Sequence, residues 1–561
     1  MSLIPLSRDD YVDHDWSLKV TSDINPSMKL MISSLIGKKY TMMENYTQNY
    51  IRTPEQVASI ISLNRAEPVF GTGVYSLTNI SHRNFAAKLT HTLNPETFYE
   101  ISLEHIRREY FTRPTRDRDL TKAYEIAEGY FVDEAPFGYS PVNTTGIVGT
   151  LFGGYSCLRR DFSNVSATTL KMDITSQLNF NNLMKAGFEF VYNDLDLDFG
   201  TIKYLSDGNT YDERVQLHVF PIRAAAYIQD KLETKGFIMN LGMRLDYSDS
   251  KTDWWDVSRF DKDFFSSKYS EDKVFKMKES KAQWQLSPRL GISHPITQNS
   301  KLFFNYGHFK QMPAYDQLFQ ISRSAERQMK AFGDPNLVLA KTISYELGYD
   351  HTLFNDYVIQ IAGFYRDIID QQDSTRYTSI GGVVYDQTTS DSYEDIRGLE
   401  LTFRKNYGHW WTAFINYTYQ VNSYGHFGSY EIYEDPTLQK EYDEATVNLY
   451  QQKPIPRPYA RANISFYTPG DYGPVLIGFH PLGAYTLNLL LNWRAGAWVD
   501  WNPNNIRAIQ NNVQETDNFD SILRFSKTFT FNKFRILVFM DINNVFNYKR
   551  MSLLNWGEAG D

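Results

Sequence analysis

Apolar and polar residues alternate one for one across residues 341–366. Ile343, Tyr345, Leu347 and Tyr349 are separated by Ser344, Glu346, Gly348 and Asp350. After Phe354-Asn355-Asp356, a second arm carries Tyr357, Ile359, Ile361 and Tyr365 on one face, with Gln360 and Arg366 on the other. Side chains on a strand point to alternate faces, so each arm has one apolar and one polar surface. Wound as a helix, the same residues scatter Glu346, Gly348 and Asp350 round the cylinder and leave no apolar stripe. The pattern predicts two strands joined by a tight turn.

The same grammar recurs through nearly the whole chain. Alternating segments flank Asn25-Pro26-Ser27, Asn94-Pro95-Glu96, Asn181-Asn182, and the turns at 297–300, 406–409 and 530–532, with further pairs over 221–247 and 459–500. Together these predict about eighteen strands, each near the length that crosses a bilayer when tilted. Turns inside the pairs carry Asn, Asp, Gly, Pro or Ser, which tolerate the backbone angles of a tight reversal. Connections between the pairs are long and polar: 41–83, 112–167, 248–283, 310–340 and 422–457. One segment, 468–484, is long where the alternation calls for a short turn. A soluble sandwich has no reason to gather its long loops at one end, whereas an outer-membrane barrel does. Two loop stretches read as short helices, 56–64 behind a Thr53-Pro54-Glu55 cap, and 119–129.

Composition sharpens this reading. Aromatic residues make up 15% of the 561, the hydrophobic fraction is an ordinary 42%, and mean hydropathy is −0.45. Such a chain suits a sheet that is greasy on one side and wet on the other. No run approaches the eighteen or so apolar residues of a spanning helix, so membrane residence requires a closed barrel. In residues 485–500, Leu487, Leu489, Leu491, Trp493, Ala495, Ala497 and Val499 oppose Thr486, Asn488, Asn492, Arg494 and Asp500. An aqueous interior accommodates Arg494, Glu346, Asp350, Glu400, Arg404, Arg244 and Asp246 in mid-strand. Tyr345, Tyr357, Trp410, Trp411 and Tyr419 suit aromatic girdles at the two interfaces.

Candidate chemistry is sparse. Asp194, Asp196 and Asp198 share one strand face and could ligate calcium; a run of this kind is more often the solvated face of a strand continued above the membrane. Trp254 and Trp255 could stack on a planar ligand or form a loop's own small core. Arg494, Arg404 and Glu346 are candidates for ligand contact from the inner wall. The single cysteine, Cys157, excludes an internal disulfide, and a net charge of −9 without a basic block argues against nucleic acid. Catalytic motifs, His-x-x-x-His spacing and phosphate or dinucleotide loops are absent, so the chain is read as a non-enzyme without a cofactor.

Four stretches resemble the β-barrel part of TonB-dependent outer-membrane receptors, of the large Bacteroidota-like type. They are Ser287-Pro288-Arg289-Leu290-Gly291 leading to Phe303-Phe304-Asn305-Tyr306-Gly307, then Asp334-Pro335-Asn336-Leu337 before Thr342-Ile343-Ser344-Tyr345-Glu346, then Arg397-Gly398-Leu399-Glu400-Leu401, and lastly Asp541-Ile542-Asn543-Asn544-Val545-Phe546-Asn547. The resemblance implies an all-β, antiparallel transmembrane barrel with long extracellular loops and short periplasmic turns. It implies active import of a metal chelate, cobalamin, oligosaccharide or peptide, powered by a TonB-type energising complex. In that family about 22 strands surround a plugged lumen. Here the expectation is about 18, with residues 1–547 as barrel, 548–561 as the start of an incomplete terminal part, and no signal peptide, plug domain or TonB box. A passive porin or adhesin-like barrel and a secreted glycan-binding protein remain as alternatives.

Overall fold

The computed structural model describes residues 12–44, 75–113, 124–127, 130–132, 144–145, 151–152, 159–204, 210–212, 215–324, 326–408, 410–446, 454–476, 480–503, 509, 511–530 and 534–549. Among these, eighteen strands form one antiparallel meander in which each strand pairs with the next. They are β1 Val12–Asn25, β2 Met28–Glu44, β3 Tyr75–Asn94, β4 Thr97–Arg113, β5 Asn164–Gln177, β6 Asn182–Tyr204, β7 Ile222–Glu233, β8 Ile238–Asp249 and β9 Gln283–Thr297. The meander continues with β10 Ser300–Gln311, β11 Ala340–Leu353, β12 Tyr357–Thr378, β13 Val384–Lys405, β14 Trp411–His426, β15 Tyr459–Tyr467, β16 Tyr485–Arg494, β17 Asn518–Thr530 and β18 Arg535–Asn543. The expected turn at Phe354-Asn355 is present, and both residues take positive φ (50° and 63°) to reverse the chain.

Cross-strand register keeps the two faces separate. Leu302, Phe304 and Tyr306 lie opposite Tyr349, Leu347 and Tyr345, which lie opposite Ile361, Gly363 and Tyr365. This outward face is apolar, with tyrosine rows toward its margins: Tyr306, Tyr345 and Tyr365 stand 5.1 and 6.3 Å apart in sequence across three strands. Toward the opposite rim, Tyr357 meets Phe403 and Trp411. All seven charged residues assigned from sequence to the wet side fall on the inner face by this register. In β16 the lipid-facing run ends sooner than the alternation suggested. The strand stops at Arg494, and Trp498–Val499 pair instead with Val513–Gln514.

On the inner face, three aromatic rings lie flat over glycines of the next strand: Phe303 over Gly348, Phe364 over Gly398 and Tyr227 over Gly187. A glycine leaves room for a ring to lie along the wall, and the ring covers the backbone that the glycine exposes. A Cβ on Gly398 would stand 2.4 Å from the Tyr419 carbonyl and 2.6 Å from Phe364 Cζ. Gly398→Val therefore forces backbone and ring apart, and urea unfolding in detergent should show a loss of about 1–3 kcal/mol. Val at the roomier Gly242, where nothing lies closer than 3.6 Å, serves as the control.

Long and short connections alternate between the two rims, and the long-loop rim rises well beyond a bilayer's needs. A crossing takes about 9–11 residues, yet β12 and β13 each run to 22. Two register shifts, at 368–371 and 371–373, interrupt their pairing, and Asp370 takes φ 57° beside them. Above this point the hairpin leaves the wall and pairs in parallel with two loop strands, Ala331 with Asp386 and Arg376 with Glu431. The expected helix over 119–129 is overturned where it is described. Tyr124–Ala127 is a strand paired with Tyr130–Val132, because Tyr and Ile there favour an extended hairpin. The expected helix over 56–64 lies outside the described residues. Among the described residues two helices form elsewhere, α1 Tyr315–Phe319 and α2 Pro436–Ala445; α2 starts at Asp435, whose carboxylate accepts from the Thr437 amide at 2.7 Å.

Candidate functional site

Three of the long connections fold together into a cap. The connection 250–282, the connection 312–339 and the tip of the β12–β13 hairpin share one aromatic core. It contains Trp254, Phe264, Phe265, Phe319, Phe332, Tyr377 and Tyr385. Phe265 stacks on Tyr385 at 4.2 Å, and Tyr385 stacks on Tyr377 at 5.2 Å. Trp254 is 5% exposed, packs on Phe332 at 5.5 Å, and donates its indole N–H to the Gly333 carbonyl at 3.1 Å. The Tyr385 hydroxyl donates to the Arg259 carbonyl, and the Met329 amide to the Phe265 carbonyl. Each of these bonds joins two different loops, so the polar edges of the core are satisfied by its own partners.

Burial pushes the phenol of Tyr377 up and that of Tyr385 well above the ordinary tyrosine range. In the opened cap both would ionise near pH 10, while in the packed cap they stay neutral. Proton release on opening means that packing is fully stable below pH 10 and weakens as pH rises beyond it. Protease nicking of the loops should rise above pH 10 in wild type, and less so in Tyr377→Phe/Tyr385→Phe.

Below the cap, the inner wall is polar and concave. A hollow of about 730 Å³ is lined by Lys185, Asn240, Arg244, Arg289, Asn305 and Glu346. Its charges are partly paired: the Arg244 guanidinium donates to Asp246 at 2.8 Å and Asn305 to Glu346 at 3.0 Å. A second hollow of about 720 Å³ lies between the wall of β4–β6 and the segment at α1, with Arg108, Leu197, Tyr315 and Phe319 around it. Arg223 of β7 ties this segment to the wall, donating to the Pro313 carbonyl at 3.2 Å and lying 4.5 Å from the Tyr315 ring.

The residues singled out from sequence are not gathered into one site. Glu346 lines the larger hollow. Arg404 is on the inner face at the short-turn end of β13, beside Phe414 at 5.5 Å, and Arg494 is exposed at the opposite rim on β16. Trp254 and Trp255 belong to the loop core, 5.0 Å apart, and Trp254 has no ring face left for a ligand. Asp194, Asp196 and Asp198 point outward on the part of β6 above the apolar band. Asp194 binds His218 at 2.7 Å and Asp198 accepts from Gln216. Among the described residues no group of three or more His, Cys, Asp and Glu is placed to hold a metal. On the same stretch Leu195 and Leu197 turn inward toward Val219 and Leu217. The two faces of the strand exchange polarity where it leaves the membrane. Sequence reasoning missed Arg244, Arg289 and Asn305 as neighbours, because cross-strand adjacency depends on register between segments up to dozens of residues apart.

Known proteins agree with this architecture. No curated sequence matches the chain. The fold is similar to the outer membrane transporter YddB from Escherichia coli (TM-score 0.63, 13% identity, 96% of this chain and 65% of that one). It is similar as well to the FrpB iron transporter of Neisseria meningitidis (0.53, 11%, 96% and 67%) and to the ferric-catecholate import receptor Fiu of Escherichia coli (0.54, 12%, 96% and 71%). The chain spans about two thirds of the length of these structures. A family model described as TonB dependent receptor-like, beta-barrel, matches residues 39–545. With a two-faced antiparallel meander, a wet inner wall and its loops capped at one rim, the chain belongs to the TonB-dependent receptor β-barrel family of the bacterial outer membrane.

Proposed function

We propose that this chain is the barrel of a receptor that takes up a scarce ligand actively, holding it first against the extracellular cap and then along the inner wall. The carrying observation is the vertical arrangement: an interlocked cap stands above a polar hollow containing Lys185, Arg244, Arg289 and Glu346. Charges of both signs favour a ligand with several hydrogen-bonding groups, such as a metal chelate, a cobalamin, an oligosaccharide or a peptide. Solved structures of similar fold are named as transporters of iron and of copper and as a ferric-catecholate import receptor, which makes metal chelates the first ligands to try. Energy would come from a TonB-type complex acting through a plug and a coupling box. Residues 1–547 would then be the barrel segment and 548–561 the start of its terminal part.

The test is uptake of radiolabelled ferric chelates by cells producing the receptor from its complete gene. Uptake that saturates and stops when the proton-motive force is collapsed supports the reading. Uptake that persists without it, in proportion to concentration, would instead identify a passive pore.

A further inference from the structure

The segment 468–484 is the long connection that the alternation of turns and loops leaves without a purpose, and it sits on the short-turn, periplasmic rim. Its described residues, 468–476 and 480–484, fold back against the outward face of the barrel. Lys527 occupies that face of β17, two positions beyond the exposed Phe525, and is itself 7% exposed. Its ammonium donates to the carbonyls of His480 (3.2 Å), Pro481 (3.0 Å) and Gly483, and lies 4.2 Å from the Tyr485 ring. Three donors meet three acceptors, so the charge is satisfied without water. The base of the segment is closed by its own bonds. The Thr468 hydroxyl donates to the Leu482 carbonyl and the Ala484 amide to the Pro469 carbonyl, while Tyr472 meets Trp410 of the adjoining turn edge-on at 5.0 Å.

What this anchored segment presents is apolar. Val475 is 64% exposed, and Tyr472, Leu476 and Leu482 are exposed with it. Phe466 and Leu487, at the adjoining ends of β15 and β16, are exposed on the same outward face, two and three residues from the segment's two ends. Its sequence contains one acid, Asp471, and one histidine, His480, whose ring nitrogen contacts the Gly473 carbonyl. A second outward lysine on this rim is arranged alike. Lys405 lies between Tyr357 and Trp411 and gives its ammonium to the Tyr407 carbonyl at 2.6 Å. Lysine stems along apolar surface with aromatic neighbours and a satisfied head group mark the boundary between hydrocarbon and water.

We propose that the described parts of this connection, 468–476 and 480–484, form a membrane foot: Lys527 clamps it to the barrel's outer wall, and Tyr472, Val475, Leu476 and Leu482 insert into the headgroup–acyl boundary of the periplasmic phospholipid leaflet. The occupant is lipid because the segment leaves and rejoins the wall beside exposed residues of the lipid-facing band and carries almost no charge. This inference rests on the outer-membrane reading. It predicts that the foot fixes the barrel's depth at one sector of its perimeter.

The test uses the full chain in phosphatidylethanolamine–phosphatidylglycerol vesicles, in a Cys157→Ser background, with an environment-sensitive fluorophore at Val475→Cys. Expected are blue-shifted emission, loss of intensity with phospholipids brominated high on the acyl chain, and protection from aqueous iodide. Adding Lys527→Met should shift emission back to the red and restore iodide access. Water-like emission insensitive to brominated lipid would overturn the proposal. Protection from iodide without quenching by brominated lipid would also overturn it, since a protein, a second copy included, would then cover the segment. A parallel label at Ile361→Cys, on the lipid-facing band, separates the two levels. If it is quenched and the foot is not, the foot alone is wrong; if neither is quenched, the membrane reading falls with it.

Discussion

Trp254→Ala opens the extracellular cap and leaves the barrel standing. Removing a buried tryptophan costs about 3–5 kcal/mol through lost contact and the cavity left behind. Here the loss falls on a local unit, because the neighbours of Trp254 are Trp255, Phe319 and Phe332, all within the loops. The Gly333 carbonyl also loses its indole donor. Hydrogen exchange reads the effect. The Met329 amide, bonded to Phe265 across two loops, should exchange roughly a hundred- to a thousandfold faster. Amides of β11 and β12 inside the apolar band should not change. Slow exchange retained at Met329 would mean that the cap does not depend on this core.

The second large effect lies on the outer face. Leu347 is 53% exposed in the middle of β11, between Phe304 and Gly363 on its neighbours. In a soluble protein such exposure makes an arginine harmless. Facing hydrocarbon near the bilayer midplane, Leu347→Arg should cost about 2–4 kcal/mol. Gln360→Arg, on the inner face three positions nearer the short-turn rim, sits beside Asp350 and should stay within about 0.5 kcal/mol of wild type. Equilibrium unfolding in vesicles compares the two. Equal and small losses would contradict the assignment of faces.

The meander was legible because its signal is local: a period of two and turn residues such as Phe354-Asn355 announce themselves within a dozen positions. The hidden parts depend on what lies around the strand. Above the membrane both faces of a strand can be wet, or the greasy one can turn inward, as Leu195 and Leu197 do opposite the outward Asp194 and Asp196. The alternation then inverts or dissolves, which is why the tall part of β12 and β13 shows no clean period of two in its sequence. Asp435-Pro436 carries a recognisable helix start, and it was the signal available for α2. No comparable cue exists for the cap. Trp254 and Phe332 are brought together by the barrel wall that carries both loops, and the pair Trp254-Trp255 alone does not distinguish a ligand platform from a core. The inner wall is intermediate: the face of Glu346, Arg404 and Arg494 was readable, whereas their wide separation follows from strand tilt and register.

The most direct measurement is a nitroxide scan along β11, one spin label at a time from Ile343 to Tyr349, in vesicles. Two faces of opposite character predict a strict alternation: high collision rates with oxygen at 343, 345, 347 and 349, and with a water-soluble nickel chelate at 344, 346 and 348. A flat profile, with neither reagent or both reagents reaching successive positions equally, would contradict a strand held between lipid and water.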